Sequence, residues 1–547
     1  MTQTISKGLL ILGIGIGCGS GIWAWAYSKP YEAVILHPVT QIATQPGDSA
    51  NPMLAMGKAL YDRHCASCHG DKGDGLGIAA PFLYPKPRNF QEGKFKVIST
   101  INRIPTDEDL MQVITNGMPG SIMVAFGHLS DMERKTLVQY VRELSRLGIE
   151  QRLKKAYEDA GDEVDLQQIK KESVRQTTPG DLISLPTDMP KEEQASVLRG
   201  RALYMANCAT CHGETGRGEG GKDQRDDDGT PTKPRDFTLG IFKGGRDVAS
   251  LYRRTQIGMP GTPMPGSPQL KPTEIMDMVH FIRSLAPESA MKHVQFKREA
   301  LVARRVADLN RVDWQQVPST FVVTAPLWWR DWQPPHLQVQ MVHDGKQLAV
   351  RMSWNDSTKN DSILRPEDFE DQASLQLFDG QNEPFIGMGA HGFGVVDIWL
   401  WKASHAVDQT ASKHILDDYP FDLPFYQQLL KRLPKSDRPI PDFITARAAK
   451  NQNSASANGN NASNLMAQGP GSTTFRPLSS QVVNAHAKYE SGQWSVVFTR
   501  PLQVQNNEGV LLNSGKKCFI AFSIWDGAYR DRNGQKQISI WHELTVE

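Results

Sequence analysis

Residues 65–69 read Cys65-Ala66-Ser67-Cys68-His69, and residues 208–212 repeat the pattern as Cys208-Ala209-Thr210-Cys211-His212. The repeat extends outward from both copies. Gly57-Lys58-Ala59-Leu60-Tyr61 precedes the first, and Gly200-Arg201-Ala202-Leu203-Tyr204 precedes the second. Downstream, Lys86-Pro87-Arg88-Asn89-Phe90 is echoed by Lys233-Pro234-Arg235-Asp236-Phe237. Gly117-Met118-Pro119-Gly120-Ser121-Ile122-Met123 is echoed by Gly258-Met259-Pro260-Gly261-Thr262-Pro263-Met264. The offset is 143 residues at the cysteines and 141 at the last methionines, so one folding unit is used twice. Each copy closes with an amphipathic helix. In the first, Ser130 and Glu133 form a capping box ahead of Leu137, Val141 and Leu144. In the second, Thr273 caps a stripe of Ile275, Met278, Val279, Ile282 and Leu285.

Cys-x-x-Cys-His is the attachment pattern of c-type haem. One helical turn sets the two thiols on one face, each within reach of a porphyrin vinyl group, and directs the histidine at the iron. A zinc half-site would need a second ligand pair nearby, and a redox dithiol needs neither the histidine nor a duplicate. The expectation is therefore two haem c groups, anchored at Cys65 and Cys68 and at Cys208 and Cys211, with His69 and His212 as proximal iron ligands. A methionine on the other side of the iron raises the potential and fills both axial positions, which suits an electron carrier. Met123 and Met264 are preferred for that role. Met118 and Met259, in the same Gly- and Pro-rich loops, are the rivals.

The chain has 547 residues, with 61 Lys+Arg against 60 Asp+Glu, a balance that gives no electrostatic reason to bind nucleic acid. Apolar residues at 39% exclude a multi-span membrane protein. Gly8 to Ser28 is an uncharged run long enough to cross a bilayer, and Ala24-Trp25-Ala26 has the form of a signal cleavage site. Residues 1–30 thus read as a membrane anchor or signal peptide that sends the rest of the chain across a membrane. The expected location is the periplasmic side of a bacterial cytoplasmic membrane.

Taken together, residues 51–148 and 194–287 resemble two class I cytochrome c domains. The resemblance implies that Pro87 and Pro234 shield the proximal histidines and that Arg88 and Arg235 contact haem propionates. Residues 149–193 read as a short helix and a linker. The insertion at 214–232, with Asp226-Asp227-Asp228, reads as a solvated acidic loop.

Beyond residue 290 the pattern turns to strands. Leu337–Val342 and Leu348–Trp354 alternate apolar with polar around Asp344-Gly345, a hairpin signal. Trp494–Phe498, Cys518–Trp525 and Ile538–Leu544 are further strands, and Cys518 points into the core. Residues 451–474, with six Asn and no charge, read as a disordered loop. The fold class is multidomain α + β: an N-terminal hydrophobic helix, two all-α cytochrome c domains and an antiparallel β-sandwich over 300–547.

Several blocks of this last region resemble the haem-b-binding domain of ethylbenzene dehydrogenase. They are Ser353-Trp354-Asn355-Asp356, Pro384-Phe385-Ile386-Gly387-Met388-Gly389, Ile398-Trp399-Leu400-Trp401-Lys402, Gly492-Gln493-Trp494 and Gly534-Gln535-Lys536. That domain is the gamma subunit of periplasmic molybdenum enzymes, the relatives of nitrite oxidoreductase included. The resemblance implies one haem b held by a methionine and a lysine. Met388 is the match for the first and Lys536 for the second, with His486 and Lys488 as rivals to Lys536.

The implied function is an electron-transfer subunit, itself performing no bond-making chemistry on a substrate. Its implied partners are a molybdenum catalytic subunit, an iron–sulfur subunit and a soluble or membrane electron carrier. Two other readings stay open at this point. One is a self-contained haem enzyme of peroxidase or oxidase type, which needs an open axial position. The other is a ligand-binding sandwich displaying Trp328, Trp329 and Trp332.

Overall fold

The computed structural model describes residues 51–547 except 222, 241, 288, 290–295, 329–336, 364–366, 390, 391, 393, 407–427, 429, 430, 433–459 and 505–508. The apolar segment 8–28 with Cys18, and Trp329 and Trp332, lie outside the described residues. Among those described, no helix is long and apolar enough to cross a membrane.

The first unit of the repeat starts at α1 (Pro52–His64), whose N-terminus is capped by the Asn51 side chain and opened by a proline. The single turn α2 (Ala66–His69) follows. After α3 (Asp107–Asn116), the long α4 (Asp131–Ala160) closes the unit behind the expected Ser130–Glu133 capping box. The packing of α1 on α4 explains the repeated glycine. A methyl group at Gly57 would run into the Thr136 carbonyl oxygen, so only glycine lets the two helices cross this closely. The second unit repeats the plan with α6 (Gln194–Asn207), the turn α7 (Ala209–His212), α8 (Val248–Ile257) and α9 (Pro272–Ser284). Gly200 there meets the Asp277 carbonyl oxygen in the same way.

The connection between the units is more structured than its composition suggests. The closing helix α4 runs twelve residues past 148 without a break, and α5 (Leu166–Thr177) folds back on it. Gly148 and Ile149 are buried, which ties this part of the helix to the first unit.

Among the described residues, the third region has fourteen strands. One sheet holds β10 (Asn484–Glu490), β11 (Gln493–Pro501), β5 (Gln347–Asn355) and β4 (Leu337–His343), with β2 (Thr320–Val322) beside β4. The other holds β14 (His542–Val546), β12 (Lys517–Trp525), β6 (Gln372–Phe378), β7 (Val396–Lys402), β8 (Ala462–Ala467) and β9 (Thr474–Phe475). The short β13 (Gln537–Ile538) and β3 (Ala325–Pro326) lie off its side. Strand β1 (Ala300–Arg305) joins the sheets, pairing parallel with both β14 and β4, so the arrangement is not wholly antiparallel. The two sheets share one core. Val350, Met352 and Phe498 come from the first sheet, and Leu375, Trp399, Ile520 and Cys518 from the second. Trp354, Trp401 and Trp494 form an aromatic contact across it.

The hairpin expected at Asp344-Gly345 joins β4 to β5, with Gly345 at φ 89°. Two other expectations need correction. The end of the stretch read as a disordered loop, 451–474, forms β8, where Ala462, Ser463, Asn464, Leu465 and Ala467 are buried. Its asparagine is not a solvated residue: Asn464 Oδ1 accepts the Val482 and Val483 N–H groups, satisfying a neighbouring segment. The run Ile538–Leu544 is two strands, because at Ser539 the chain leaves the ladder. Its hydroxyl oxygen there accepts the Phe522 N–H.

Candidate haem sites

In the first unit, α1 ends at His64 and the chain turns through Cys65. The N–H groups of Cys68 and His69 return to the Cys65 carbonyl at 3.1 and 2.9 Å. Gly70, at φ 79°, stops the turn. His69 Nδ1 donates to the Arg88 carbonyl at 2.9 Å, and the ring stacks on Phe90 at 4.4 Å. A carbonyl can only accept, so the proton sits on Nδ1 and the lone pair on Nε2. Burial pulls the His69 imidazole down to about 4, so it is neutral at pH 7, as a metal ligand must be. The same parts recur in the second unit. His212 Nδ1 lies 3.2 Å from the Arg235 carbonyl, and its ring stacks on Phe237 at 4.4 Å.

The residues flanking each motif, quoted above only as repeats, now have jobs. Tyr61 donates its hydroxyl to the Gly70 carbonyl and Tyr204 to that of Gly213, each at 2.7 Å, pinning the end of the motif to α1 or α6. Phe90 and Phe237 supply the ring faces for the two histidines. The recurrence of the blocks in the same order was the sequence signal for these roles, and only the contacts identify them.

Cys65, Cys68, His69, Met118 and Met123 all line one cavity of about 1760 Å³, open mouth included. Its walls are apolar: Leu110, Ile114, Phe126 and Val141 contribute from the first unit. Met123 also packs on that unit's core beside Cys65. Met123 and Met264 occupy equivalent loops, in which their carbonyls accept the N–H of Met118 at 2.8 Å and of Met259 at 3.1 Å. The loop brings both methionines of each unit together, and it does not remove the rivals by distance alone.

Where the two units meet, equivalent residues face each other. A side chain at Gly120 of the first unit would strike Arg235, and one at Gly261 of the second would strike Arg88. Val97 packs against Gly244, its own counterpart one repeat later. Burial, with Lys96 and Arg235 close by, pulls the Lys243 ammonium well below its ordinary pKa. Burial also pulls Arg235 down to about 10. Arg88, Lys96, Arg235 and Lys243 thus form a cationic seam, and its members Arg88, Lys96 and Lys243 line the cavity of the first motif, suited to carboxylates such as haem propionates. The acidic insertion touches this seam mainly through Asp226, while Asp227 and Asp228 stay exposed to solvent as expected. Asp226 pairs with Lys96 at 2.9 Å and Asp227 with Lys94 at 2.5 Å, and Tyr84 donates to the Pro231 carbonyl.

The first unit also packs against the β region. Leu327, Phe385, Ile386, Ile538 and Trp541 complete the wall of its cavity. Cys68 itself packs on a cluster containing Leu83, Phe385 and Ile386. Glu383 ties the contact together, accepting from His128 Nε2 at 2.7 Å and from Arg298. Trp328 lies under Lys86 and beside Tyr84, contacts that occupy part of a ring still 37% exposed.

Met388 sits in the 383–389 segment with φ 74°, a left-handed backbone that an unbranched side chain adopts only under local constraint. Its N–H donates to the Ile386 carbonyl, and the Gly469 N–H donates to its own carbonyl. Lys536 is buried at 6% exposure, with Nζ 4.8 Å from the Trp525 ring centroid, and burial pulls its ammonium down to about 8. The rivals are placed differently. His486 and Lys488 are exposed on the edge strand β10, and Lys488 pairs with Glu490 at 2.8 Å.

Comparison with known proteins agrees with this division. Residues 54–145 and 197–286 match the cytochrome c family, and residues 312–537 match the ethylbenzene dehydrogenase family. The chain is 25% identical over 275 residues to the dimethylsulfide dehydrogenase subunit gamma of Rhodovulum sulfidophilum, covering 47% of this chain and 82% of that one. It is 23% identical over 246 residues to the chlorate reductase subunit gamma of Ideonella dechloratans, covering 42% and 76%. A respiratory nitrate reductase heme subunit of Haloferax mediterranei is 23% identical over 209 residues, 38% of this chain. The match spans only 55% of that relative's length.

Proposed function

We propose that this chain, two cytochrome c domains joined to an ethylbenzene dehydrogenase domain, is the electron-transfer subunit of a molybdenum oxidoreductase. It relays electrons between that enzyme's iron–sulfur subunit and a soluble or membrane carrier on the periplasmic side of a bacterial cytoplasmic membrane. Residues 1–30 anchor or export it. The observation that carries this reading is the position of the first motif. Its cavity is walled by residues of all three regions, Lys243 from the second cytochrome unit and Phe385 and Trp541 from the β region included.

Cys65 and Cys68, and Cys208 and Cys211, hold two haem c groups, with His69 and Met123 or His212 and Met264 at the irons. Arg88 and Arg235 meet the propionates. Met388 and Lys536 hold one haem b. Their fit rests on two features. Lys536 is a buried amine with a lowered pKa, a donor in waiting rather than a surface cation. Met388 is held in a backbone conformation that costs energy on its own. Haem supplies a one-electron couple. The protein's own part would be to hold the iron through the named histidine, methionine and lysine side chains, exclude water and neutralise propionate charge.

A pyridine haemochrome assay before and after acid extraction tests the cofactor content. Two covalent haems and one extractable haem per chain are expected. Absence of extractable haem removes the role of Met388 and Lys536, and absence of covalent haem overturns the relay. Carbon monoxide separates the relay from a haem enzyme: the reduced protein shifts little if each iron has two protein ligands, and a large shift sinks the relay.

A further inference from the structure

Three carboxylates of the β region lie outside the candidate haem sites. Asp356 follows β5, Asp371 precedes β6 and Asp526 follows β12. They are 2%, 0% and 7% exposed, and one carboxylate oxygen from each lies within 4.8 Å of the other two. Asp371 is well supplied with donors: Gly527 N–H at 2.9 Å on Oδ1, and Asn360 N–H at 2.8 Å and Trp494 Nε1–H at 2.9 Å on Oδ2.

Asp356 is not. Its Oδ1 accepts the Thr358 N–H at 3.0 Å and hydroxyl at 3.1 Å, while its Oδ2 is buried with no hydrogen-bond partner. A buried carboxylate oxygen without a donor is costly, and costlier beside two more carboxylates. Burial pushes the Asp371 carboxyl up to about 7, with Asp356 adding to the effect. What this group lacks is positive charge at the orphan oxygen.

We propose that Asp356, Asp371 and Asp526 bind a calcium ion that fastens the two sheets of the β region to each other. The donor set is oxygen only, which favours a hard cation over zinc or copper. Calcium accepts six to eight oxygens in irregular geometry, whereas magnesium keeps several waters and demands an octahedron. Thr358 Oγ1 and Asn360 Oδ1, 2.9 Å apart in the turn after Asp356, are further oxygens at hand. The ion would join β5 of one sheet to β6 and β12 of the other.

The test uses the full haem-loaded chain, stripped with EGTA and titrated with calcium chloride by calorimetry, with thermal unfolding followed in parallel. One site per chain and a higher melting temperature with calcium are expected. Asp356→Asn should weaken calcium binding at least a hundredfold. Because it removes the orphan charge, it should melt no lower than wild type in EGTA, yet lower than wild type in calcium. Asp526→Asn, measured the same way, should also lose calcium binding, and serves if the first variant does not fold. No binding at millimolar calcium, wild-type affinity in the folded variants, or equal destabilisation in both buffers overturns the proposal.

Discussion

The two methionines in each Gly-Met-Pro-Gly loop are four residues of identical chemistry with different expected consequences. If Met123 is the axial ligand, Met123→Ala opens the iron of the first unit. The reduced protein should then bind carbon monoxide at about one haem per chain, whereas Met118→Ala should leave the spectrum unchanged. The reverse result would exchange their roles. The His69 hydrogen bond belongs to the same scale. Its acceptor is a main-chain carbonyl, so no side-chain substitution at Arg88 removes it, and Arg88→Met should spare haem attachment while altering the potential. Redox titration of the purified variant reads this directly.

Among the elements, the crossing of the first and last helices of each cytochrome unit gives a sharp expectation. Gly57→Ala must push α1 off the Thr136 carbonyl, a strain of overpacking kind that costs about 1–3 kcal/mol. Thermal unfolding should show the loss, and Gly200→Ala should show a similar one in the second unit. The cysteine motifs and the glycine blocks were legible in the sequence because a repeat displays its constraints twice, whereas the cap expected at Thr273 falls instead on Lys271, whose N–H donates to Glu274 as Pro272 opens the helix. The β region has no second copy, and there the reading slipped. β8 was hidden because Asn464 works as an internal hydrogen-bond acceptor, and composition cannot tell such an asparagine from one in a loop. The parallel pairing of β1 was hidden because period-two alternation carries no strand direction. The burial that sets Lys536 apart from the exposed His486 and Lys488 is a property that short matching blocks do not report.

At the level of the whole molecule, Glu383 connects the first cytochrome unit to the β region through His128 and Arg298. Burial alone would raise its carboxyl, but the His128 hydrogen bond and the Arg298 charge outweigh that and hold it well below the ordinary range. A depressed carboxyl stabilises the folded state fully above its unfolded value of roughly 4.3. That contribution is lost as pH falls below it. Docking should therefore weaken in acid below about pH 4. Glu383→Gln removes one partner of a largely buried charge pair, a change that typically costs about 2–5 kcal/mol. In the variant the acid sensitivity should shrink, which pH-dependent melting curves would reveal; an unchanged acid limb would show that other carboxylates govern it.

The contact between the two cytochrome units, with Val97 on Gly244 and each arginine on the other's glycine loop, is its own complement. Two separate copies of one protein make surfaces of this kind when they pair about a twofold axis. Separate copies would hold together only above some concentration. Here the 149–193 connection keeps the partner permanently within reach, so the pairing no longer obeys mass action. A seam this rich in arginine and lysine can then remain intact at any dilution, and its residues are free to be chosen for the charge they present rather than for the strength with which they bind.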